Sequence, residues 1–101
     1  MRPRSELHAI LKSIPGVGRV YHQPPESTKL EYPCIVYSRM GVDEWRADNQ
    51  SYIQNRRYQV TVIDPNPDSL IPDLVNDLPM CSMDLHFTKD RLHHDVFTLY
   101  F

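Results

Sequence analysis

Apolar residues recur at helical spacing in two segments of the 101-residue chain. In the first, they lie at i, i+3, i+4 and i+7, along one stripe of a predicted helix: Leu7, Ile10, Leu11 and Ile14. The second follows the turn "DPNPDS" and ends before a proline. Its predicted apolar face consists of Leu70, Leu74, Val75 and Leu78.

Five other segments have the composition and alternation of strands. In chain order they are "VGRVYH", "YPCIVYSRMGVDEW", "SYIQNRRYQVTVID", "MCSMDLHF" and "HHDVFTLYF". The predicted order is therefore α-β-β-β-α-β-β. This order indicates an α+β fold, in which an antiparallel or mixed sheet of about five strands carries both helices. We expect a single domain over residues 1–101.

The second and third strands, joined by the turn "ADNQ", predict a β-hairpin that projects from the domain. At ~3.3 Å per residue these strands run about 40 Å, longer than a domain of this size needs. Aromatic and oppositely charged residues near the tip are typical of a protein–protein contact. The alternative is a solvated hairpin whose tryptophan folds back on the sheet. The predicted partner surface consists of Asp43, Glu44, Trp45, Arg46, Asp48, Tyr52, Arg56 and Arg57.

Composition narrows the class of protein. Apolar residues make up 41% of the chain and charged residues 24%, as in ordinary globular domains. The formal net charge of −2 argues against a general nucleic-acid binder. No apolar run approaches the ~20 residues that cross a bilayer, and no signal peptide is visible. Cys34 and Cys81 stand in apolar stretches, which favours two reduced thiols in a cytoplasm.

The segment "HHDVF" offers candidate chemistry. In a strand, His93 and Asp95 share one face and His94 points to the other. One imidazole and one carboxylate are two ligands short of a closed zinc site, which only His22, His86 or a cysteine could complete. We therefore predict no catalytic, cofactor-binding or metal-binding residue. A small metal-dependent hydrolase remains the enzymatic alternative.

Three segments carry a resemblance to a known family. The order and spacing of "YPCIVY", "RRYQVTVIDPNPDS" and the terminal "FTLYF" resemble the tail terminator proteins of long-tailed bacteriophages. These are also called tail-completion or tail-to-head joining proteins. The resemblance covers about residues 30–101 and extends to the first helix in order and length.

The resemblance implies a structural phage or prophage protein without enzymatic activity or cofactor. Its members form a ring, expected to be a homo-hexamer, that caps the tail tube, ends its polymerisation and presents a head-joining surface. The implied partners are further copies of the chain, the tail tube protein and a head-completion or neck protein. DNA is only passing cargo, and no membrane is involved.

The implied location is the head-proximal end of the virion tail, after assembly in the host bacterial cytoplasm. Contacts with neighbours are expected at Asp43–Ile53 and at Pro24–Lys29. The alternatives are a head-completion or stopper ring of the neck, and a small nucleic-acid-binding domain that uses Arg56 and Arg57.

Overall fold

The chain forms two helices and five strands in the predicted order. The computed structural model describes residues 3–47 and 51–101, except for the side chains of residues 42–47 and 51–55. The elements are α1 (Arg4–Lys12), β1 (Arg19–His22), β2 (Cys34–Ala47), β3 (Ser51–Asp64), α2 (Ile71–Asn76), β4 (Cys81–Lys89) and β5 (Leu92–Tyr100). The predicted α+β class and element order are confirmed.

The strands form one mixed sheet in the order β1-β2-β3-β5-β4. β1 runs parallel to β2, and all other pairs are antiparallel. β1 pairs with β2 only over residues 34–37, and β5 pairs with β3 only over residues 57–64. The register then joins residues 42–47 of β2 to 51–56 of β3. The turn between them lies outside the described residues, so the projection of this hairpin stays a prediction.

The hydrophobic core lies between the two helices and one face of the sheet. The sheet contributes alternate residues of β2, β3 and β5, because side chains two apart along a strand share a face. Fully burying each large apolar side chain stabilises the fold by roughly 1.5–3 kcal/mol. The core residues of these strands are Ile35, Tyr37, Tyr58, Val60, Val62, Phe97 and Leu99.

Helix α1 packs on the sheet as the sequence predicts. Leu7, Leu11 and Ile14 are buried, and Ile10 is half-buried. The i, i+4 spacing of the first two places them one above the other on the same side of the helix. This packing also brings the first turn of α1, with Arg4, over the sheet close to β1.

The apolar face of α2 differs from the predicted one. Ile71 and Val75 are buried, whereas the side chains of Leu70 and Leu74 are 70% and 37% exposed. The helix begins at Ile71, whose backbone N–H donates to the hydroxyl of Ser69. Because successive helical residues are rotated by about 100°, the pair one position earlier points away from the sheet. The prediction for Leu70 and Leu74 was therefore wrong.

Candidate partner-binding surfaces

The predicted surface at the hairpin tip falls largely outside the description. Asp48 lies outside the described residues, and the side chains of Asp43, Glu44, Trp45, Arg46 and Tyr52 are not described. Arg56 and Arg57 are described and, as neighbours in a strand, point to opposite faces of the sheet. They therefore do not form one patch, although the sequence groups them.

The last residue of the chain holds the backbone of β3 beside this region. The N–H of Phe101 donates to the carbonyl of Arg56 at 2.9 Å, and the N–H of Arg56 donates to the carbonyl of Phe101 at 3.2 Å. This pair of hydrogen bonds continues the β3–β5 ladder by one more step. The backbone from which the Arg56 side chain projects is thus fixed to the rest of the sheet.

A cavity of about 390 Å³ lies on the helix side of the sheet and is lined by three arginines. Arg4 comes from the first turn of α1, Arg39 from β2 and Arg56 from β3. Arg39 lies two residues after the core residue Tyr37, and Arg56 lies two before Tyr58, so both share the helix-facing side. The remaining lining residues are His22, Gln23 and Tyr58. We call this the arginine cavity.

A buried hydroxyl anchors one side of the arginine cavity. Arg4 donates to the Tyr37 hydroxyl at 2.9 Å, and Nδ1 of His8 lies 2.7 Å from the same oxygen. The hydroxyl oxygen accepts the bond from Arg4, because a guanidinium can only donate, and it shares a second hydrogen bond with the imidazole of His8. Tyr37 thereby connects the first turn of α1 to the sheet.

The positive charge around the arginine cavity affects the pKa values of two nearby histidines, His8 and His22. Burial lowers the pKa of His8 below its usual value of 6.5, and the charges of Arg4 and Lys12 lower this pKa further. Burial also lowers the pKa of His22, and the charges of Arg4 and His8 lower it further. Both imidazoles are therefore biased toward the neutral form, first by burial and then by the positive charges around them.

Aspartates dominate a second cavity, of about 370 Å³, near the opposite edge of the sheet. The turn after β3 and helix α2 form one wall, and β4 and β5 form the other. Its ionisable lining residues are Asp64, Asp68, Asp73, Asp95, His86 and His93. We call this the acidic cleft.

One aspartate of the acidic cleft is held by a histidine. Asp95 is buried, and Nδ1 of His86 lies 2.6 Å from its carboxylate. The ring of His93 stacks on that of His86 with centroids 5.8 Å apart. A histidine oriented by a buried carboxylate is able to transfer protons, and this pair is the chemistry nearest to the enzymatic alternative.

The predicted faces of the histidines at the start of β5 are confirmed. His93 and Asp95 line the acidic cleft on the helix side, whereas the ring of His94 stacks on Phe87, 4.5 Å away. Within residues 3–47 and 51–101, no group of three histidine, cysteine or acidic side chains is arranged to hold a metal ion.

Both cysteines are free thiols in the described chain. Cys34 is buried and Cys81 is half-buried, beside the core. Burial raises the pKa of each thiol from 9.0 to about 11, with a smaller contribution from Asp64 for Cys34 and from Asp84 for Cys81. At neutral pH both thiols are protonated, which makes them poor nucleophiles.

The edge strand β4 carries three large apolar side chains that are widely exposed. Met83, Leu85 and Phe87 expose 47%, 49% and 41% of their surface. The bulge between Met83 and Leu85 in the pairing with β5 places Met83 on the helix side and the other two on the opposite face. An apolar edge strand of this kind pairs readily with another chain.

The arginine cavity is the feature that sequence reasoning missed. Its arginines are far apart in the chain, and only Arg56 was a candidate. One signal was present: Arg39 continues the alternation of Ile35 and Tyr37 onto the core side of β2, where a charged residue is unusual.

Comparisons with protein-family models, with curated proteins and with solved structures found no match. Among the described helices, none combines the length and the apolar character needed to cross a membrane.

Proposed function

We propose that this protein is a tail terminator of a long-tailed phage or prophage, a structural subunit whose ring caps the tail tube. The observation that carries the proposal is the exposed apolar edge of β4, with Leu85 and Phe87 on one face and Met83 on the other. A monomer gains nothing from three such side chains on an unpaired edge, whereas a subunit buries them against a neighbour.

The sequence resemblance gives this assembly its identity. The segments that resemble the family form β2, β3, the turn before α2 and the end of β5. The fold, a small unit of two helices on a mixed sheet with a long antiparallel strand pair, supports this identity as a compact building block for a ring. Termination then works through complementary surfaces, because one face of the ring matches the last tube ring and the other accepts no further tube subunit.

The test is the mass of the protein in solution, measured by light scattering over a concentration series with and without tail tube protein of the same phage. We expect growth toward a closed ring near six subunits, together with capture at tube ends. Free subunits associate weakly, so that the ring forms at the tube. A strict monomer that ignores tubes at every concentration would contradict the proposal.

A matched pair of variants ties the assembly to the edge strand. Phe87→Lys places a charge on the exposed edge of β4, and Ala9→Lys adds the same charge on an exposed position of α1. We expect Phe87→Lys to reduce ring formation at least about tenfold, since it removes apolar contact and adds an unpaired charge. Ala9→Lys should assemble like the wild type. Equal assembly of both variants would exclude β4 from the ring contacts.

The neck alternative uses the same fold with another partner. A head-completion or stopper ring would bind the portal or an adaptor and leave tail tubes free. Adding tubes and portal in parallel therefore separates the two structural functions.

A further inference from the structure

The arginine cavity and the acidic cleft lie on the same side of the sheet but near opposite edges. The arginine cavity reaches the edge strand β1 through His22, and the acidic cleft reaches the edge strand β4 through Met83 and His86. Four strand spacings separate these edges, about 19 Å across the sheet. Along β3, Tyr58 and Asp64 are a further ~20 Å apart. The two surfaces are diagonal to each other.

Among the described residues, the arginines of the cavity have no counter-charge of their own. Within the part of the chain that the structure describes, no carboxylate lies within ion-pair distance of Arg4, Arg39 or Arg56. The Nε of Arg56 is buried and has no hydrogen-bond acceptor there. A buried donor without a partner is destabilising, because it has lost its hydrogen bonds to water without replacement. The cavity therefore has both the charge and the free donor to receive an anion.

Among the described residues, three of the four aspartates of the acidic cleft also lack a lysine or arginine partner, and the fourth, Asp95, contacts His86. In the same described residues, Asp64, Asp68 and Asp73 have no ion pair with a lysine or arginine. Asp64 is buried and accepts the N–H of Asn66 at 2.8 Å, while Asp68 and Asp73 are exposed. The cleft thus presents carboxylates in excess of its two histidines.

We infer that the arginine cavity of one copy binds the acidic cleft of a second copy. This assignment rests on the proposed function, in which identical subunits form a ring. Each subunit then uses its β1 side for one neighbour and its β4 side for the other. Such a heterologous contact closes into a ring when the rotation between neighbours allows it. Met83 of β4 lines the acidic cleft and becomes buried in the same contact, whereas Leu85 and Phe87 lie beside the same edge on the opposite face of the sheet.

Charge decides between a second copy and a nucleic acid as the occupant. Three arginines alone would suit a phosphate as well as a carboxylate. A nucleic acid, however, complements only the arginine cavity and leaves the acidic cleft without a partner, whereas a second copy supplies both signs at once. Each surface finds its complement on an identical chain.

The test is a charge-reversal rescue measured by sedimentation equilibrium. Arg39→Glu reverses one charge of the cavity and Asp68→Lys reverses one charge of the cleft, and both positions are exposed, so folding is retained. We call a surface that carries its substitution reversed. Each variant alone has one intact and one reversed surface, and we expect each to lose at least about tenfold in its association constant. An equimolar mixture pairs the two intact surfaces and the two reversed surfaces, so its association should return to near the wild-type value.

Matched controls reverse charge outside the two surfaces. Lys12→Glu lies at the end of α1 and Asp77→Lys follows α2, and neither residue lines the arginine cavity or the acidic cleft. Both controls should associate like the wild type. The wild-type association should also weaken between about 0.05 M and about 0.5 M salt, because partly exposed ion pairs are screened.

The outcomes separate this inference from the proposed function when the same proteins are added to tail tubes. Rescue of association in the mixture without capping of tubes would support the contact between arginine cavity and acidic cleft and would contradict the terminator function. Capping by the wild type and equally by Arg39→Glu would refute the contact alone.

If the wild type is monomeric in solution, the same rescue is scored at tube ends, and failure there overturns both. Binding of a single-stranded oligonucleotide that Arg39→Glu abolishes would assign the cavity to phosphate instead.

Discussion

At the scale of single residues, the Tyr37 hydroxyl organises the charged part of the structure. It is buried, yet it contacts Arg4 and His8 from α1. The ring of His22 lies 5.0 Å from the Tyr37 ring, so the same residue also supports the wall of the arginine cavity. The buried Tyr37 thereby holds the guanidinium of Arg4 close to His8 and His22. This position explains why the charge of Arg4 lowers the pKa of both imidazoles.

This arrangement predicts how one substitution shifts two histidines. Arg4→Gln removes a positive charge that lowers the pKa of both His8 and His22, so we expect both pKa values to rise. Lys12→Gln is the matched control, because Lys12 lowers the pKa of His8 alone. An NMR titration of the imidazole resonances measures both values in each variant. Unchanged values for His22 in Arg4→Gln would show that the guanidinium is not placed beside it.

The same shift sets a pH dependence of stability. The native protein holds His8 and His22 with lowered pKa values, so below pH 6.5 the unfolded chain binds more protons than the native state. The free energy of unfolding therefore falls as the pH drops from 6.5 through the lowered native values. Urea denaturation at successive pH values should show a shallower decline for Arg4→Gln than for the wild type. An equal slope would mean that other groups dominate acid unfolding.

At the scale of elements, α2 shows what periodicity leaves undecided. Four of the six residues from 70 to 75 are aliphatic. They form two adjacent stripes, Leu70 with Leu74 and Ile71 with Val75, and either stripe could face the sheet. The start of the helix decides between them. Ser69 accepts the N–H of Ile71, and the stripe of Ile71 and Val75 then faces the core.

Substituting two neighbouring residues tests this orientation. Ile71→Ala removes a buried side chain from the core, and we expect a loss of about 2–5 kcal/mol in the free energy of unfolding. Leu70→Ala changes a side chain that is 70% exposed, and its effect should stay within about 0.5 kcal/mol. Urea midpoints with an unchanged slope provide the comparison. A larger loss of unfolding free energy for Leu70→Ala than for Ile71→Ala would instead support the orientation expected from the sequence, with Leu70 and Leu74 facing the sheet.

The strands were easier to predict than the sites because alternation is a local property. The order of all seven elements and the faces of His93, His94 and Asp95 follow from patterns within short segments. Strand order and the parallel pairing of β1 depend on contacts between distant segments, which no local pattern specifies. The arginine cavity has the same origin, since Arg4, Arg39 and Arg56 meet only after α1, β2 and β3 have packed.

At the scale of the whole molecule, the separation of surface charge is a second structural argument for assembly, beside the exposed apolar edge of β4. Among the described residues, one edge of the sheet adjoins three arginines without an ion-pair partner, and the other adjoins three aspartates without a lysine or arginine partner and exposed apolar residues. Over these two surfaces, charges of opposite sign are separated rather than mixed. Separation of this kind favours directional association of identical copies over aggregation without order.

A terminator makes a quantitative prediction about tails of different length. If the protein is the proposed terminator, its ring binds only at the end of the tube, so the amount of this protein per tube should stay constant while the amount of tube protein rises with length. Fractionating capped tubes by length and measuring the ratio of the two proteins by mass spectrometry tests this directly. The ratio of this protein to tube protein should fall in inverse proportion to tube length. Multiplied by the number of tube subunits in each fraction, it should give one ring per capped end. A ratio independent of length would mean binding along the tube wall, and Phe87→Lys should then be examined for loss of that lateral contact instead.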